Sequence, residues 1–286
     1  MLKGQRMVKI KLTGGLGNQM FQYAYAKALE SRGYDIELDS SIYQHYQLHG
    51  GFQLDKYAIN IPIINKKTNI FLHKIKVKSG WGNRNILKEK TLLYDEALLT
   101  PKDDITIEGY FQSEKYFMVI RKLLLEQFTI QEPLSDYGNK IAKLIRENNS
   151  CSVHIRRGDY VQNASTQAVH GSCDLDYYSR AIEYMEKEYE DIDYFIFSDD
   201  ITWVKEHLLI NNAHYIESEE ERIPHEDIYL MSLCQHNIIA NSSFSWWGAW
   251  LNQYAKKQVI APKRWFLDEV MYQQSHDIVP SHWMKT

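Results

Sequence analysis

Cysteine is scarce: Cys151, Cys173 and Cys234 are the three in 286 residues, widely spaced and without a C-x-x-C pair. An odd set of this kind cannot be a closed disulfide framework, and a reducing compartment fits it best. Long apolar runs are missing too, since nothing approaches the roughly 18 residues of a membrane-spanning helix, and residues 1–11 lack the apolar core of a signal peptide. Basic charge is not in excess either. The 33 lysines and arginines stand against 37 carboxylates, for a net charge of -4 and a pI near 6.3, which excludes a broad nucleic-acid-binding face. Positive charge that holds an anion must therefore be concentrated at a few positions. There is no P-loop, no H-E-x-x-H, no short internal repeat and no low-complexity tract.

What is present is an ordinary folded composition, 44% hydrophobic and 24% charged. Seven Trp and 20 Tyr offer flat faces that suit carbohydrate stacking and equally an aromatic core. The spacing of Trp247, Trp250, Leu251 and Tyr254, one helical face, predicts core packing for that group. In the carboxy-terminal half, strand-like segments at 152–156, 194–198, 214–216, 237–240 and 258–261 alternate with helix-like ones at 176–189, 202–209, 225–234 and 243–254. Such alternation predicts a mostly parallel, Rossmann-like sheet. The amino-terminal half opens the same way, with a strand at 8–12, a turn at 13–19, a helix at 20–32 and a strand at 35–38. A strand at 105–111 and helices at 114–128 and 134–148 follow, whereas 40–104 resist assignment. The lysine alternation at 8–12 suits a half-exposed strand better than a central one. A boundary within 133–150 divides the chain into domains 1–145 and 146–286.

Four strand ends carry chemistry. His154-Ile155-Arg156-Arg157-Gly158-Asp159-Tyr160 places His154 and Arg156 on one strand face, with Arg157, Gly158 and Asp159 beyond the strand, where ligands bind in open parallel sheets. Adjacent arginines suit a phosphate held by a guanidinium fork, and equally an ion pair with Asp159 that pins the loop. Gly14-Gly15-Leu16-Gly17-Asn18-Gln19 is a glycine turn between strand and helix, with the amides of Asn18 and Gln19 expected at the crevice. It lacks the last glycine of a dinucleotide fingerprint. Ser198-Asp199-Asp200 puts a carboxylate where it can accept paired hydrogen bonds from guanine, or simply cap the next helix. Asn241-Ser242-Ser243-Phe244 opens a helix, so N–H groups and hydroxyls form an anion site or plain caps. The D-x-D strings Asp174–Asp176 and Asp191–Asp193 fall at a helix start and a helix-to-strand turn, so both read as structural and no metal site is expected.

Together, 14–23, 154–160 and 241–247 closely resemble the bacterial α-1,2-fucosyltransferases, glycosyltransferase family 11, and Gly109-Tyr110-Phe111-Gln112 is similar to that family as well. The resemblance runs in order from about residue 8 to 265. It implies an α/β fold of two facing Rossmann-like domains, GT-B-type, the first on the acceptor side and the second binding the donor. It implies GDP-β-L-fucose as donor substrate, a β-galactoside oligosaccharide or glycolipid as acceptor, inversion to an α-1,2 linkage, and no cofactor or metal. Arg156 would hold the β-phosphate of the leaving GDP, with Ser242, Ser243 and the Phe244 backbone supporting the diphosphate. His154 and Asp199 or Asp200 would contact the nucleoside, Gly15, Gly17, Arg157 and Asn241 would line the donor site, and Asn18 would sit near the reacting sugar. Asp159 and His154 are the candidate bases. A cytoplasmic protein is expected, at the inner face of the inner membrane if it associates with one. A GDP-sugar transferase of other sugar or linkage, or a non-catalytic glycan-binding protein, are the rival readings.

Overall fold

The computed structural model describes residues 7–46, 50–65, 85–158, 164–217 and 223–286. The chain divides into two compact units, Met1–Thr129 and Ile130–Thr286. The expected division at 145 places the helix Asp136–Glu147 in the first unit, whereas the observed break places it in the second. Its apolar face, Ile141, Ala142 and Ile145, is buried there, and Glu226 accepts from the N–H and hydroxyl of its capping Ser135 at 2.6 and 2.7 Å.

In the first unit, β1 (Met7–Lys11), α1 (Leu16–Glu30), β2 (Asp35–Asp39), β3 (Ile63–Ile64), β4 (Ile86–Lys88) and β5 (Ile105–Glu108) build a parallel sheet in the order β3-β2-β1-β5-β4. The chain leaves β1 toward β2 and returns on the other side at β5. The ends of β1 and β5 thus flank a topological switch point, the place where parallel sheets bind ligands. β1 is central yet alternating: Val8 and Ile10 are fully buried, while Lys9 and Lys11 stay half-exposed and Lys11 pairs with Glu108 at 3.0 Å. The lysine pattern reported the face and not the strand's rank in the sheet. The helix expected over 114–128 is two 3-10 turns followed by α2 (Arg121–Gln127), because buried Phe117 breaks the helical backbone at φ −137°.

The second unit contains α3 (Asp136–Glu147), β6 (Asn149–Ile155), α4 (Ala164–His170), α5 (Leu175–Glu188), β7 (Ile192–Ser198), α6 (Ile201–His207), β8 (Ala213–Tyr215), α7 (Pro224–Leu233), β9 (His236–Ile238), α8 (Ser243–Leu251), β10 (Val259–Ala261), α9 (Glu269–Gln273) and β11 (Met284–Lys285). Its parallel sheet runs β11-β10-β9-β6-β7-β8. This is the doubly wound order, and its switch point lies between β6 and β9. Alternating apolar side chains of β6 and β7, among them Cys151, Val153, Tyr194 and Ile196, bury against Tyr177, Tyr178, Ala181 and Met185 of α5. On α8, Trp247, Trp250 and Leu251 are buried as expected, with Trp246 buried beside them, but the helix stops at Leu251 and Tyr254 is 41% exposed. Gly248 lets α8 approach α7, since a Cβ there would come 2.7 Å from that of Met231. Among the described residues no helix is long and apolar enough to cross a membrane.

Candidate active site

Because β9, β6 and β7 are parallel neighbours, the segments that follow them emerge on one edge of the second sheet: 239–243, 156–158 and 199–200. The sequence-predicted donor residues of this unit are therefore brought together. The arginines find partners in Asp199 and Asp200, and the expected pairing with Asp159 lies outside the described residues. Arg156 Nε lies 3.4 Å from Asp199 Oδ2, and Arg157 Nε lies 3.4 Å from Asp200 Oδ2. The N–H of Arg157 also donates to Asp199 Oδ1 at 2.8 Å, and its guanidinium stacks over the Trp203 ring at 3.5 Å. Asp159 and Tyr160 lie outside the described residues.

The two guanidinium groups and two carboxylates are charge-balanced and interlocked. Gly158 is part of this packing, since a Cβ there would sit 2.6 Å from Asp199 Oδ2. Asp200 is also the cap of α6, accepting from the N–H of Trp203 at 3.1 Å. Asp200 thus both caps α6 and pairs with Arg157, while Asp199 pairs with Arg156 and accepts from the Arg157 N–H. Asp200→Ala should destabilise the protein by about 0.5–2 kcal/mol, the range for losing an N-cap, as read by urea denaturation. Unchanged stability with a raised donor KM would instead make Asp200 a ligand contact.

His154 is 5% exposed, and its ring packs 5.7 Å from that of Phe244, joining the end of β6 to the first turn of α8. The backbone oxygen of His154 accepts from the Tyr178 hydroxyl at 3.1 Å. Ser242 caps α8, its hydroxyl accepting from the Phe244 N–H at 3.3 Å, and Ser243 opens the helix half-buried. The start of α8 therefore points its N–H groups and dipole at the same edge as the arginines. Asn241 has a different assignment. Its Nδ2 lies 3.0–3.1 Å from the carbonyls of His170, Gly171 and Trp265, and its Oδ1 accepts from the Cys173 thiol at 3.5 Å, so its amide ties loops beneath the edge. Trp203 and Asn241's loop partners carried no sequence signal, because each acts through residues distant in the chain.

In the first unit, Gly14 adopts φ +79°, which favours glycine, and Gly15 precedes α1 in extended conformation. Gly17 is buried in the first turn of the helix. Gln19, expected at the crevice, is instead fully buried: its Nε2 donates to the carbonyls of Gly14 and Gly51 at 3.1 and 2.8 Å and its Oε1 accepts from Gln53 at 3.0 Å. Gln22 works the same way between Thr13 and Gly109. Asn18 remains half-buried, with Oδ1 accepting from Gln112 Nε2 at 2.7 Å. The turn carrying Gln112 is held by Glu89, whose carboxylate accepts from the N–H groups of Tyr110 and Phe111 at 2.7 and 3.1 Å. Burial pushes the Glu89 carboxyl above its ordinary range, against the two N–H donors that lower it.

The D-x-D strings are both engaged in structure. Asp174 caps α5 through the Tyr177 N–H at 2.7 Å. Asp193 lies at the start of β7, the opposite edge from Arg156, and meets His214 Nε2 at 2.9 Å.

The family description Glycosyl transferase family 11 matches residues 1–286. An Escherichia coli protein named alpha-1,2-colitosyltransferase is 36% identical over 98% of this chain and 98% of its own. A Bos taurus galactoside 2-alpha-L-fucosyltransferase is 25% identical over 85% of this chain and 63% of its own. In fold, the chain is similar to the fucosyltransferase NodZ from Bradyrhizobium, with a TM-score of 0.51 at 15% identity over 86% of this chain and 92% of that one. Two parallel α/β sheets, each with a switch point, accord with that likeness, and with the family matched from end to end the chain belongs to glycosyl transferase family 11.

Proposed function

We propose that this glycosyltransferase moves L-fucose from GDP-β-L-fucose to the 2-hydroxyl of a terminal β-galactoside, with inversion to an α-1,2 linkage and no required metal. The observation that carries the reading is the cluster at the β6–β9 switch point, where Arg156, held by Asp199, shares an edge with the N-terminus of α8. The acceptor hydroxyl attacks the anomeric carbon as the bond to the diphosphate breaks, and negative charge gathers on the leaving GDP. A fixed guanidinium and helix N–H groups stabilise that charge as it develops. Asn18 is assigned a contact to the reacting sugar. The hydroxyl proton passes to His154 or Asp159, and in an oxocarbenium-like transition state it leaves late enough that no strong base is needed.

Fucose is supported by the three motifs and by the bovine relative's name. The 36% identical relative favours a second donor, because colitose is L-fucose without its 3-hydroxyl and its GDP ester presents the same diphosphate. Both are tested by incubating the protein with GDP-fucose or GDP-colitose and a panel of β-galactosides, measuring GDP release and product linkage. A 2-O-fucosyl product is expected; colitosyl product alone transfers the reading to the second donor. Glycan binding without GDP release from either donor would overturn both.

Activity should survive EDTA, since both D-x-D strings are engaged, one in a helix cap and the other in a contact with His214. Complete loss in chelator, restored by magnesium or manganese, would overturn metal independence.

A further inference from the structure

We infer that Gln112, braced through its turn by Glu89, orients the Asn18 amide for transfer. The inference rests on the role given to Asn18 in the proposed reaction. Asn18 lies in the first turn of α1, at the β1–β5 switch point of the first sheet. Its amide oxygen accepts from Gln112 Nε2 at 2.7 Å, so in this arrangement the oxygen end of the amide faces Gln112. Nδ2, a donor of two hydrogens, is then the end on offer, and no described residue accepts from it. Gly14 leaves room for that end, because a Cβ at Gly14 would sit 2.5 Å from Asn18 Nδ2. An asparagine serving only structure spends its donors on the fold, as Asn241 does. Asn18 spends its acceptor and presents its donor, which is how a preorganised group for an oxygen-rich substrate is arranged.

The support behind Gln112 is extensive for so short a turn. Gln112 is 8% exposed, so its side chain has little freedom to leave Asn18. Phe111 before it is held at φ +54°, a left-handed conformation unusual for a bulky residue, with its buried ring stacked on Tyr25 at 3.8 Å. Such conformations persist only where the surroundings over-determine them. Here the surroundings are Glu89, which accepts from two consecutive N–H groups of the turn, and Gln22, which donates to the Gly109 carbonyl at 2.9 Å. Gly109 admits Glu89, since a Cβ at Gly109 would come 2.6 Å from that of Glu89. Gln112 and Glu89 are thus positioning residues, acting on the reaction only through Asn18.

The test is a double-mutant cycle on the full chain with the donor that the wild type uses. Gln112→Leu and Asn18→Ala should each lower kcat by about tenfold or more, leave donor KM within about twofold, and combine with no loss beyond that of Asn18→Ala alone. Glu89→Gln, which keeps the shape and weakens the acceptor, should give a smaller loss of the same kind. A change in fold alone would move KM and thermal stability together and would multiply in the double variant. If Gln112→Leu does not fold, Gln112→Glu keeps the size, removes the donor and is judged by the same criteria. Gln112 variants that retain more than half of kcat, losses confined to KM, or multiplicative losses overturn the inference. So does an Asn18→Ala variant with wild-type kcat. Failure of the wild type to transfer any GDP-linked sugar overturns the reaction itself and is distinct from all of these.

Discussion

Arg156→Ala is expected to lower kcat by roughly 10² to 10³ in a protein that remains folded, the scale for removing one preorganised donor to developing charge. Arg156 follows β6 at the switch point of the second sheet, and Asp199 meets its Nε at 3.4 Å. That ion pair restrains the guanidinium before substrate arrives, so in the proposed reaction little reorganisation is needed as the diphosphate departs. It also sets the size of the effect: partial neutralisation by Asp199 weakens attraction to the resting donor, so the benefit falls on kcat more than on KM. Arg156→Lys should recover little, because an ammonium is a point charge that cannot meet carboxylate and phosphate with separate nitrogens. Steady-state kinetics beside circular dichroism settle the matter. Retention of more than about a third of wild-type kcat would remove Arg156 from the diphosphate and make Arg157 the arginine to test.

Trp246→Ala should cost about 3–5 kcal/mol of stability, the range for truncating a large core aromatic. Trp246 is fully buried, stacked 6.0 Å from Trp250 and set against Trp247 and Trp283 at 5.0 and 5.5 Å. Its Nε1 donates to the Ile278 carbonyl at 2.7 Å, so truncation also orphans a buried acceptor. Trp246→Phe should recover part of the packing and none of the hydrogen bond. Urea denaturation of the three proteins separates the contributions. An unchanged midpoint together with lost acceptor binding would turn this aromatic helix into a sugar platform and refute its role as core.

Most elements of the second unit were legible because each announces itself locally, whereas the helices Ala164–His170 and Glu269–Gln273 and the strand Met284–Lys285 were not read. Phe195, Ile196 and Phe197 form a continuous apolar run, and Trp246, Trp247 and Trp250 share a helix. Strand ends were legible for the same reason, and with them the placement of Arg156, Asp199 and Ser242 on one edge. Partner choice was not legible. That Arg157 would stack on Trp203 and Asp199 would bond the Arg157 N–H depends on β6 and β7 lying side by side, which no local pattern states. Gln19 illustrates the same limit, since an amide beside a glycine turn reads as a crevice group until Gly51 and Gln53 arrive from afar to bury it. The strands Ile63–Ile64 and Ile86–Lys88 are too short to show a period and, lying in the stretch 40–104 without clear alternation, were missed. The division after Thr129 was displaced because the helix Asp136–Glu147 precedes the strand it packs with, and sequence order alone assigned it backward.

The switch point of the second unit bears on how the protein reaches its working state. β6 pairs with β7 along seven residues but with β9 along three, Cys151, Ser152 and Val153. The β9 pairing also joins segments about 85 residues apart, as in the bond from Asn237 Nδ2 to Ser152 Oγ, roughly twice the separation across β6 and β7. Closing the longer loop costs on the order of 0.6 kcal/mol more in chain entropy and returns fewer ladder bonds. Buried amides compensate: Asn237 donates to Ser152 and to the Met231 carbonyl, and Asn252 donates to Asn237. During synthesis, β6 and β7 can pair while the ribosome still holds the segment that carries Ser242 and Ser243. The anion site proposed above is therefore completed late, and in the finished protein the seam that hydrogen exchange should open most readily in this sheet's centre is the one on which that proposed site depends.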